Sequence, residues 1–342
     1  MDNLPVDNFQ SSFKYYKSKD LPPSLENVVI LDHTVNSLLK PIKVIPQSSS
    51  FPGLRLPESW NVFELTSRPG LVVIANPFTG TGQRYWMSRS VLDFHRGLSK
   101  NNLLPSQFNL HQYPDGWWEH LQTIGDPLQR QKLSKALRWA TLGFHYDWTN
   151  KVYSDDNRTQ FPSDLAAMVQ YIASALEISS FSPEAAIVNY YPIGSTLAGH
   201  TDHSEEDLTA PLFSFSFGLA GIFLIGGMTR EEKPDALLLK SGDVVIMTGN
   251  SRQYYHAVPR VCASGEIAVE NDRWQSGCYL NELELDQQGD GGSEMCFNRW
   301  QKCHDNDFWS PIHDYMHGSR ININVRQVRR LEGQVRKEST LL

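Results

Sequence analysis

The tripeptide His200-Thr201-Asp202 places an imidazole and a carboxylate on the same face of an extended strand. With a distant histidine, such a pair forms the two-histidine, one-carboxylate facial triad of non-haem Fe(II) oxygenases, which leaves positions open for a cosubstrate and oxygen. His256 is the candidate third ligand because it opens the segment HAVPRV after the turn TGNS. The 54 residues from Asp202 to His256 are also enough to form several strands that bring His256 back beside Asp202. The pattern therefore predicts an iron site.

Other histidines compete with this set. His145-Tyr146-Asp147 repeats the H-x-D spacing, and His203-Ser204-Glu205 is an H-x-E. The first of these precedes the main strands in an aromatic segment, so we expect it at the surface or facing a substrate. With eleven histidines in the chain, spacing alone is weak support for any one ligand. The remaining competitors for the third position are His304, His313 and His317.

The segment RININVR, residues 320–326, alternates without exception between polar and apolar side chains. In an extended strand the two sets face opposite ways. One interpretation is an edge strand with a solvated face. The other is a strand that lines a polar cavity inside a jelly roll, where two guanidiniums and two amides bind a small dianion. Arg320 and Arg326 are about 20 Å apart at about 3.3 Å per residue, so they are expected to hold different ends of that site.

The elements that must position these residues are short strands after Pro183, among them AIVNYY, LFSFSFG, GIFLIGG, ALLLK and DVVIMTG. Segments with helical periodicity precede these strands. One of them follows Pro162, and its apolar residues, starting at Leu165, share one face of the predicted helix. Helices first and many short strands later predict an α+β chain whose core is a β-sandwich or jelly roll.

Composition excludes several classes of protein. The net charge of −7 argues against a uniformly basic nucleic-acid coat but allows a local basic groove. The hydrophobic fraction of 40% supports a buried core, and no apolar run approaches the length of a membrane helix. The start MDNLPVDNFQ lacks a basic leader, and the four cysteines lie late in the chain. We expect a soluble intracellular protein without a membrane partner, nuclear or cytoplasmic in preference to mitochondrial.

Several motifs occur together at spacings that chance explains poorly. The sequence Asn189-Tyr190-Tyr191, the H-x-D pair, His256 and the alternating strand together resemble the AlkB family of Fe(II)- and 2-oxoglutarate-dependent dioxygenases. Longer stretches are similar to the eukaryotic AlkB homologue one subfamily: PGLVVIANPF, LRWATLGFHYDW, FPSDL, LFSFSFGLAGIFLIGG, SGDVVIMTG, HAVPR and RININVRQV. The resemblance runs from about residue 10 to residue 330.

The resemblance implies a fold, a set of cofactors and roles for residues. The fold is a double-stranded β-helix, or jelly roll, preceded by helices and a nucleotide-recognition lid. The cofactors are Fe(II), 2-oxoglutarate and O2, with His200, Asp202 and His256 as iron ligands. Arg320 pairs with the distal carboxylate of 2-oxoglutarate, and Arg326 lies at its metal-proximal end near the substrate. Hydrogen bonds to the cosubstrate come from Asn189, Tyr191 and Asn322.

The sequence pattern, with recurrent Pro and Ser before residue 65, and the resemblance together divide the chain into segments. An arm, residues 1–65, packs on the core; residues 66–182 hold helices and the lid; residues 183–330 are the jelly-roll core; and residues 331–342 are a basic tail. One departure is the 64 residues from His256 to Arg320, where compact family members have a short connection. An insertion at about 264–310 must therefore loop out. Its Cys278, Cys296 and Cys303 are irregularly spaced, which favours reduced thiols over a zinc site.

The family acts on alkylated nucleobases, so the implied substrate is DNA or tRNA with the target base extruded or unpaired. Single-strand binding combines stacking aromatic residues with cations, and both occur within residues 130–153. The candidate substrate-binding residues are Trp139, Phe144, Tyr146, Arg130, Lys132, Lys135 and Arg138, with Trp148 and Tyr153 nearby. An amphipathic helix with solvated lysines explains the basic part equally well.

The sequence and the resemblance leave three alternative hypotheses for the function. The first is an oxidative demethylase of N-methylated adenine, either N6-methyladenine in unpaired DNA or N1-methyladenosine in tRNA, that releases formaldehyde and succinate. The second applies the same chemistry to a protein substrate, and faster turnover of peptides than of oligonucleotides would favour it. The third is a nucleic-acid-binding protein without enzymatic activity, against which the intact iron triad and both arginines count.

Overall fold

The computed structural model describes residues 6–19, 23–31, 37–113, 116–263, 265–266, 274 and 296–331. Cys278 and most of the predicted insertion and basic tail lie outside these residues. The α-helices of the described part are α1 (Asn8–Lys17), α2 (Gly80–Leu92), α3 (Trp117–Thr123), α4 (Pro127–Ser134), α5 (Ser163–Ala175), α6 (Phe297–Lys302) and α7 (Asn306–Met316). None of these helices is long and apolar enough to span a membrane.

The strands fall into two groups along the chain. Those before α5 are β1 (Val28–Ile30), β2 (Leu39–Pro41), β3 (Asn61–Leu65), β4 (Leu71–Ala75), β5 (Lys100–Asn101) and β6 (Trp139–Gly143). Those after α5 are β7 (Ala185–Pro192), β8 (Leu197–His200), β9 (Leu212–Gly218), β10 (Gly221–Ile225), β11 (Asp235–Leu239), β12 (Val244–Met247), β13 (His256–Val261) and β14 (Ser319–Arg326).

Two sheets built from these strands form the predicted jelly-roll core. The small sheet has the order β1-β11-β10-β13-β8, and the large sheet has the order β2-β3-β4-β12-β9-β14-β7-β6-β5. The large sheet therefore includes β2–β4 and β6, which precede residue 183 in the chain. Strand β14 pairs with β7 on one side and β9 on the other. The alternating segment is thus an interior strand, and its interpretation as an edge strand is wrong.

The two faces of the large sheet differ in chemistry because side chains alternate along each strand. Phe213, Phe215 and Phe217 of β9 join the main apolar core with residues of α2 and α5, all fully buried. The opposite face carries Ser214 and Ser216 of β9 beside the polar side chains of β14. This polar face is turned toward the small sheet, so the space between the sheets has hydrogen-bonding groups on one wall.

Within the N-terminal arm, residues 1–65, helix α1 packs behind the small sheet, whereas β2 and β3 join the large sheet. Phe9 of α1 is completely buried, and its ring lies against two glycines of the sheet. A Cβ at Gly199 would lie 2.6 Å from the Phe9 ring and one at Gly226 would lie 2.9 Å from it, so the ring fits only because both positions lack a side chain. The arm therefore supports the strand that ends at His200.

Helices α6 and α7 attach the end of the insertion to α2. The Arg84 guanidinium donates to the carbonyls of Trp274 and Cys303 at 3.1 and 3.2 Å, and Arg299 donates to Asp93 at 2.9 Å. No disulfide joins the described cysteines, Cys262, Cys296 and Cys303. The insertion thus adds a helical layer on the side of the large sheet away from the polar face.

Candidate active site

The small sheet brings two histidines together. His200 ends β8, His256 begins β13, and the two residues are paired across the strands with ring centroids 4.2 Å apart. Asp202 follows in the loop after β8, with its carboxylate oxygens 3.9 Å from His200 Nε2 and 3.7 Å from His256 Nε2. Among the described residues these three form the one cluster with metal-binding geometry, and their ligand atoms lie within 4.8 Å of one another.

The protonation state of both rings suits a metal. His200 Nδ1 lies 3.0 Å from the carbonyl oxygen of Ala198, and His256 Nδ1 lies 3.0 Å from that of Tyr254. A carbonyl can only accept, so each Nδ1 donates, and Nε2 is the nitrogen of each ring that faces Asp202 and is left for a metal. Two imidazole nitrogens and one carboxylate, aimed at one point, fit Fe(II) with positions left open.

Charge in the site favours the deprotonated ligands that a metal requires. Burial and, to a lesser extent, the adjacent His200 ring lower the pKa of His256 to about 4. Burial alone would raise the pKa of Asp202, but the Arg326 guanidinium and both imidazoles outweigh it and hold that pKa well below its usual range. Arg326 Nη2 donates to Asp202 Oδ2 at 3.1 Å, so it both fixes and neutralises the carboxylate.

A buried charge network extends from Asp202. Glu205 accepts from Arg326 Nη1 at 3.0 Å and from Arg252 Nη2 at 2.9 Å, and its side chain is completely inaccessible to solvent. Arg252 also donates to the backbone carbonyls of Asp202 and Ala210 at 2.9 and 3.1 Å. Sequence reasoning placed Glu205 only in a competing H-x-E motif, and no sequence pattern pointed to Arg252. Together the two residues hold the loop that carries Asp202.

Arg320 occupies the other end of β14. Its side chain is buried, and it donates to the carbonyls of Leu219 and Leu239 at 3.0 and 3.1 Å and to Ser216 Oγ at 2.6 Å. Among the described residues no carboxylate lies within salt-bridge distance of this guanidinium. Burial consequently lowers the pKa of Arg320. A buried cation with no carboxylate in contact is suited to a carboxylate ligand such as the distal carboxylate of 2-oxoglutarate.

Three of the five predicted cosubstrate residues line one cavity between the sheets. Tyr191, Arg320 and Asn322 line it together with His200 and His256. The amide of Asn322 donates to Ser214 Oγ at 2.9 Å and to the carbonyl of Phe215 at 3.0 Å. Asn189 is paired with Asn322, which puts it on the same face of the large sheet. The cavity thus joins the iron ligands to the buried guanidinium of Arg320.

The competing histidines lie elsewhere. His145 is only 1% exposed, with Nδ1 2.8 Å from Thr141 Oγ1 and Nε2 3.2 Å from Thr159 Oγ1. The expectation of a surface or substrate-facing His145 is therefore wrong, because the ring is buried between two threonines. His203 is exposed beside Thr201. His313 and His317 are stacked on α7 at 4.1 Å, and His304 packs on Trp300.

An aromatic cluster adjoins Arg326. We call Trp139, Tyr146, Trp148 and Tyr153 the aromatic cluster, since their rings contact one another at 4.9 to 5.3 Å between centroids. Arg326 Nη1 lies 3.3 Å from Tyr153 Oη, and the hydroxyl of Tyr146 lies 3.0 Å from Ser204 Oγ. Trp148 is 48% exposed. The cluster offers an accessible ring surface directly beside the iron ligands.

The other predicted substrate-binding residues lie apart from this cluster. Phe144 is buried between the guanidiniums of Arg158 and Arg329, at 5.3 and 5.5 Å from its ring. The remaining cations belong to α4 or the turn that follows it, and all are exposed: Arg130, Lys132, Lys135 and Arg138. Strand β6 starts at Trp139, whose neighbours across the sheet are Asn189 and Asn322. Helix α4 therefore lies toward the Arg320 end of the sheet.

Comparisons with known proteins agree with this geometry. The family model of the 2OG-Fe(II) oxygenase superfamily matches residues 94–326. The mouse nucleic acid dioxygenase ALKBH1 is 33% identical over 94% of this chain and 84% of its own length. The tRNA demethylase abh1 of Schizosaccharomyces pombe is 40% identical over 63% and 76%, and the DNA N(6)-methyladenine demethylase ALKBH1A of Arabidopsis thaliana is 28% identical over 94% and 92%. The chain therefore belongs to the 2OG-Fe(II) oxygenase superfamily, whose reaction takes Fe(II), 2-oxoglutarate and O2, and within it to the AlkB homologue one family.

Proposed function

We propose that this Fe(II)- and 2-oxoglutarate-dependent dioxygenase is an oxidative demethylase of N-methylated adenine in nucleic acid. Its substrate is N6-methyladenine in unpaired or single-stranded DNA, or N1-methyladenosine in tRNA. Bound Fe(II) supplies the oxidation of the N-methyl carbon by O2, coupled to conversion of 2-oxoglutarate to succinate and CO2, after which the carbon leaves as formaldehyde. The relatives named for tRNA and for DNA demethylation support both choices.

The observation that carries the proposal is the position of Arg326 between the iron ligands and the aromatic cluster. One nitrogen of its guanidinium donates to Asp202 and the other lies 3.3 Å from the Tyr153 hydroxyl. An extruded base that stacks on these rings is thereby brought to the open side of the iron site. Stacking tolerates any base, so selection of a methylated adenine rests on the shape of this pocket.

Separate residues of the chain bind the metal and the cosubstrate. His200, Asp202 and His256 hold the metal, and the carbonyls of Ala198 and Tyr254 keep both imidazoles in the ligating tautomer. Arg320 holds the distal carboxylate of the cosubstrate at the closed end of the cavity. The apolar walls there exclude water, which strengthens the interaction between that carboxylate and the guanidinium.

The test is mass-spectrometric measurement of methyl loss from oligonucleotides with Fe(II) and 2-oxoglutarate present or omitted. N6-methyladenine in bubbled DNA and in duplex DNA is compared with N1-methyladenosine in a tRNA stem-loop. We expect cofactor-dependent loss from at least one unpaired substrate, and loss below detection for Asp202→Ala. Glu58→Ala, which removes an exposed carboxylate far from the site, is the control and should retain wild-type turnover.

The outcomes separate the alternatives. Methyl loss that does not depend on 2-oxoglutarate contradicts the proposed chemistry. Consumption of 2-oxoglutarate without change in any oligonucleotide supports the iron site but rejects nucleic acid as the substrate, and methylated peptides would then be assayed. Absence of bound iron in the protein as purified and after anaerobic reconstitution would favour a nucleic-acid-binding protein without activity.

A further inference from the structure

A second concave surface lies at the far end of the large sheet. We call it the distal groove, an open depression of about 630 Å³ between α3, α4 and α7. Its floor includes Trp118 and Tyr315, whose rings meet edge to face at 5.8 Å, and the exposed Ile193. Arg130 and Lys135 form one rim; both belong to the α4 segment, which comprises α4 and the turn after it, residues 127–137. No residue of the iron site or of the cosubstrate cavity lines this groove.

Strand register places the groove relative to the iron site. The groove is lined by Ser319, the first residue of β14, whereas Arg326 at the other end of that strand contacts Asp202. Seven residues at about 3.3 Å each separate the two ends by about 23 Å. The distal groove is therefore too far from the iron to contact the target base itself.

The charge of the rim points to an anionic occupant. Arg130 and Lys135 are exposed, and among the described residues no carboxylate lies within salt-bridge distance of either. Asp314, exposed on the opposite wall, is the one carboxylate that lines the groove within the described part of the chain. The described lining of the groove thus has more positive than negative side chains, in a chain of net charge −7. Cations on a rim and rings on a floor are the combination that holds single-stranded nucleic acid.

A continuous path connects the groove with the aromatic cluster. Arg138 follows the α4 segment directly and is exposed, and the next residue is Trp139 of the cluster, whose ring contacts Trp148 at 5.3 Å. A strand with its target base beside Arg326 would cross Trp139 and Arg138 before it reached Lys135. At about 3.4 Å per stacked nucleotide, 23 Å corresponds to about seven nucleotides, and to fewer in an extended strand.

We propose that the distal groove binds the flank of the nucleic-acid substrate on one side of the target base, with phosphates on Arg130 and Lys135 and a base against Trp118 and Tyr315. This inference rests on the proposed function and adds a remote subsite to it. It makes recognition depend on the length of the strand and on its direction. Only one of the two flanks, 5′ or 3′, reaches the groove, because the groove lies at one end of the sheet.

The test compares three single-stranded substrates with the same methylated adenine: a pentanucleotide, a strand extended only on the 5′ side and a strand extended only on the 3′ side. We expect wild-type protein to have a lower KM for one of the extended strands. Arg130→Glu/Lys135→Glu should raise the KM for that strand about tenfold and leave kcat and the pentanucleotide unchanged. The slope of log KM against log salt should fall by about 1.4 for two lost phosphate contacts at about 0.7 each.

A matched control and the contrary outcomes complete the design. Lys43→Glu makes the same kind of charge reversal at an exposed lysine outside the groove and should leave all three KM values unchanged. Equal KM for all strands in wild-type protein, or an equal loss on all three in the double variant, overturns the distal subsite. In both cases turnover of the pentanucleotide by wild-type protein leaves the proposed function intact. If wild-type protein turns over none of the strands, the proposed function fails and the subsite fails with it.

Discussion

Arg320 and Arg326 are the same type of residue on the same face of one strand, yet their surroundings are opposite. Arg326 lies between the carboxylates of Asp202 and Glu205, at 3.1 and 3.0 Å. Arg320 donates to two backbone carbonyls and the hydroxyl of Ser216. Burial acts to lower the pKa of both, but the carboxylates raise that of Arg326 well above its ordinary value, whereas that of Arg320 stays lowered.

The difference separates two uses of a buried cation. The charge of Arg326 is neutralised by the carboxylates of Asp202 and Glu205, so this arginine orders the iron-ligating loop before any ligand binds. Arg320 has no carboxylate in contact among the described residues, so its burial costs free energy that an anionic cosubstrate can offset on binding. Removal of the first should therefore damage the fold, and removal of the second should damage cosubstrate affinity.

Arg326→Met gives the largest expected effect on stability. It leaves two buried carboxylates without their shared cation, and breaking such a buried network costs about 3–5 kcal/mol. Urea unfolding under identical metal loading should show this loss as a lower midpoint. Arg320→Met is the matched control on the same strand and should lose only about 1 kcal/mol, because lost hydrogen bonds are partly offset by relief of the uncompensated charge. Equal losses in the two variants would contradict the comparison.

The sequence predicted the part of this contrast that is local. The alternation of residues 320–326 predicts a strand with both arginines on one face, and the structure confirms it as β14. The H-x-D spacing predicts two ligands that a single extended segment presents together. These features depend on neighbours in the chain, where strand period and residue type act directly.

Long-range contacts account for what sequence reasoning missed. Glu205 contacts residues 47 and 121 positions away, and Arg252 lies in a short 3-10 turn without periodicity. Only closure of the jelly roll brings them together. The cations before β6 are close in sequence to Tyr146, Trp148 and Tyr153 but lie at the other end of that strand.

Arg320→Met should have its main effect on the cosubstrate. Without the guanidinium the distal carboxylate loses its charged partner, and we expect the KM for 2-oxoglutarate to rise about 100-fold, or about 2.7 kcal/mol at 1.36 kcal/mol per factor of ten. Steady-state succinate release at varied 2-oxoglutarate measures it. Lys43→Met, at an exposed residue outside the cavity, should leave this KM unchanged. An unchanged KM for 2-oxoglutarate in Arg320→Met would place the carboxylate elsewhere.

Glu205→Gln tests whether the charges of Glu205 and Arg326 contribute cooperatively to the free energy of unfolding. The amide keeps one acceptor but removes the charge that both Arg326 and Arg252 use, so we expect a loss of about 1–3 kcal/mol in the free energy of unfolding. The double variant Glu205→Gln/Arg326→Met should be less destabilised than the sum of the single variants, with a coupling of at least about 1 kcal/mol by urea unfolding. Additive losses would show that the two charges act independently.

Tyr153→Phe should have the smallest effect and the most selective one. It removes the hydroxyl that lies 3.3 Å from Arg326 Nη1 but keeps the ring in contact with Tyr146 at 5.2 Å. A hydrogen bond of this kind contributes about 0.5–1.5 kcal/mol, so kcat/KM for the oligonucleotide should fall by about two- to tenfold. The KM for 2-oxoglutarate should not change, because Arg320 at the other end of the strand is untouched. A rise in that KM instead would mean that the two ends of β14 are coupled. The hypothesis that Arg326 and Arg320 have independent roles would then be rejected.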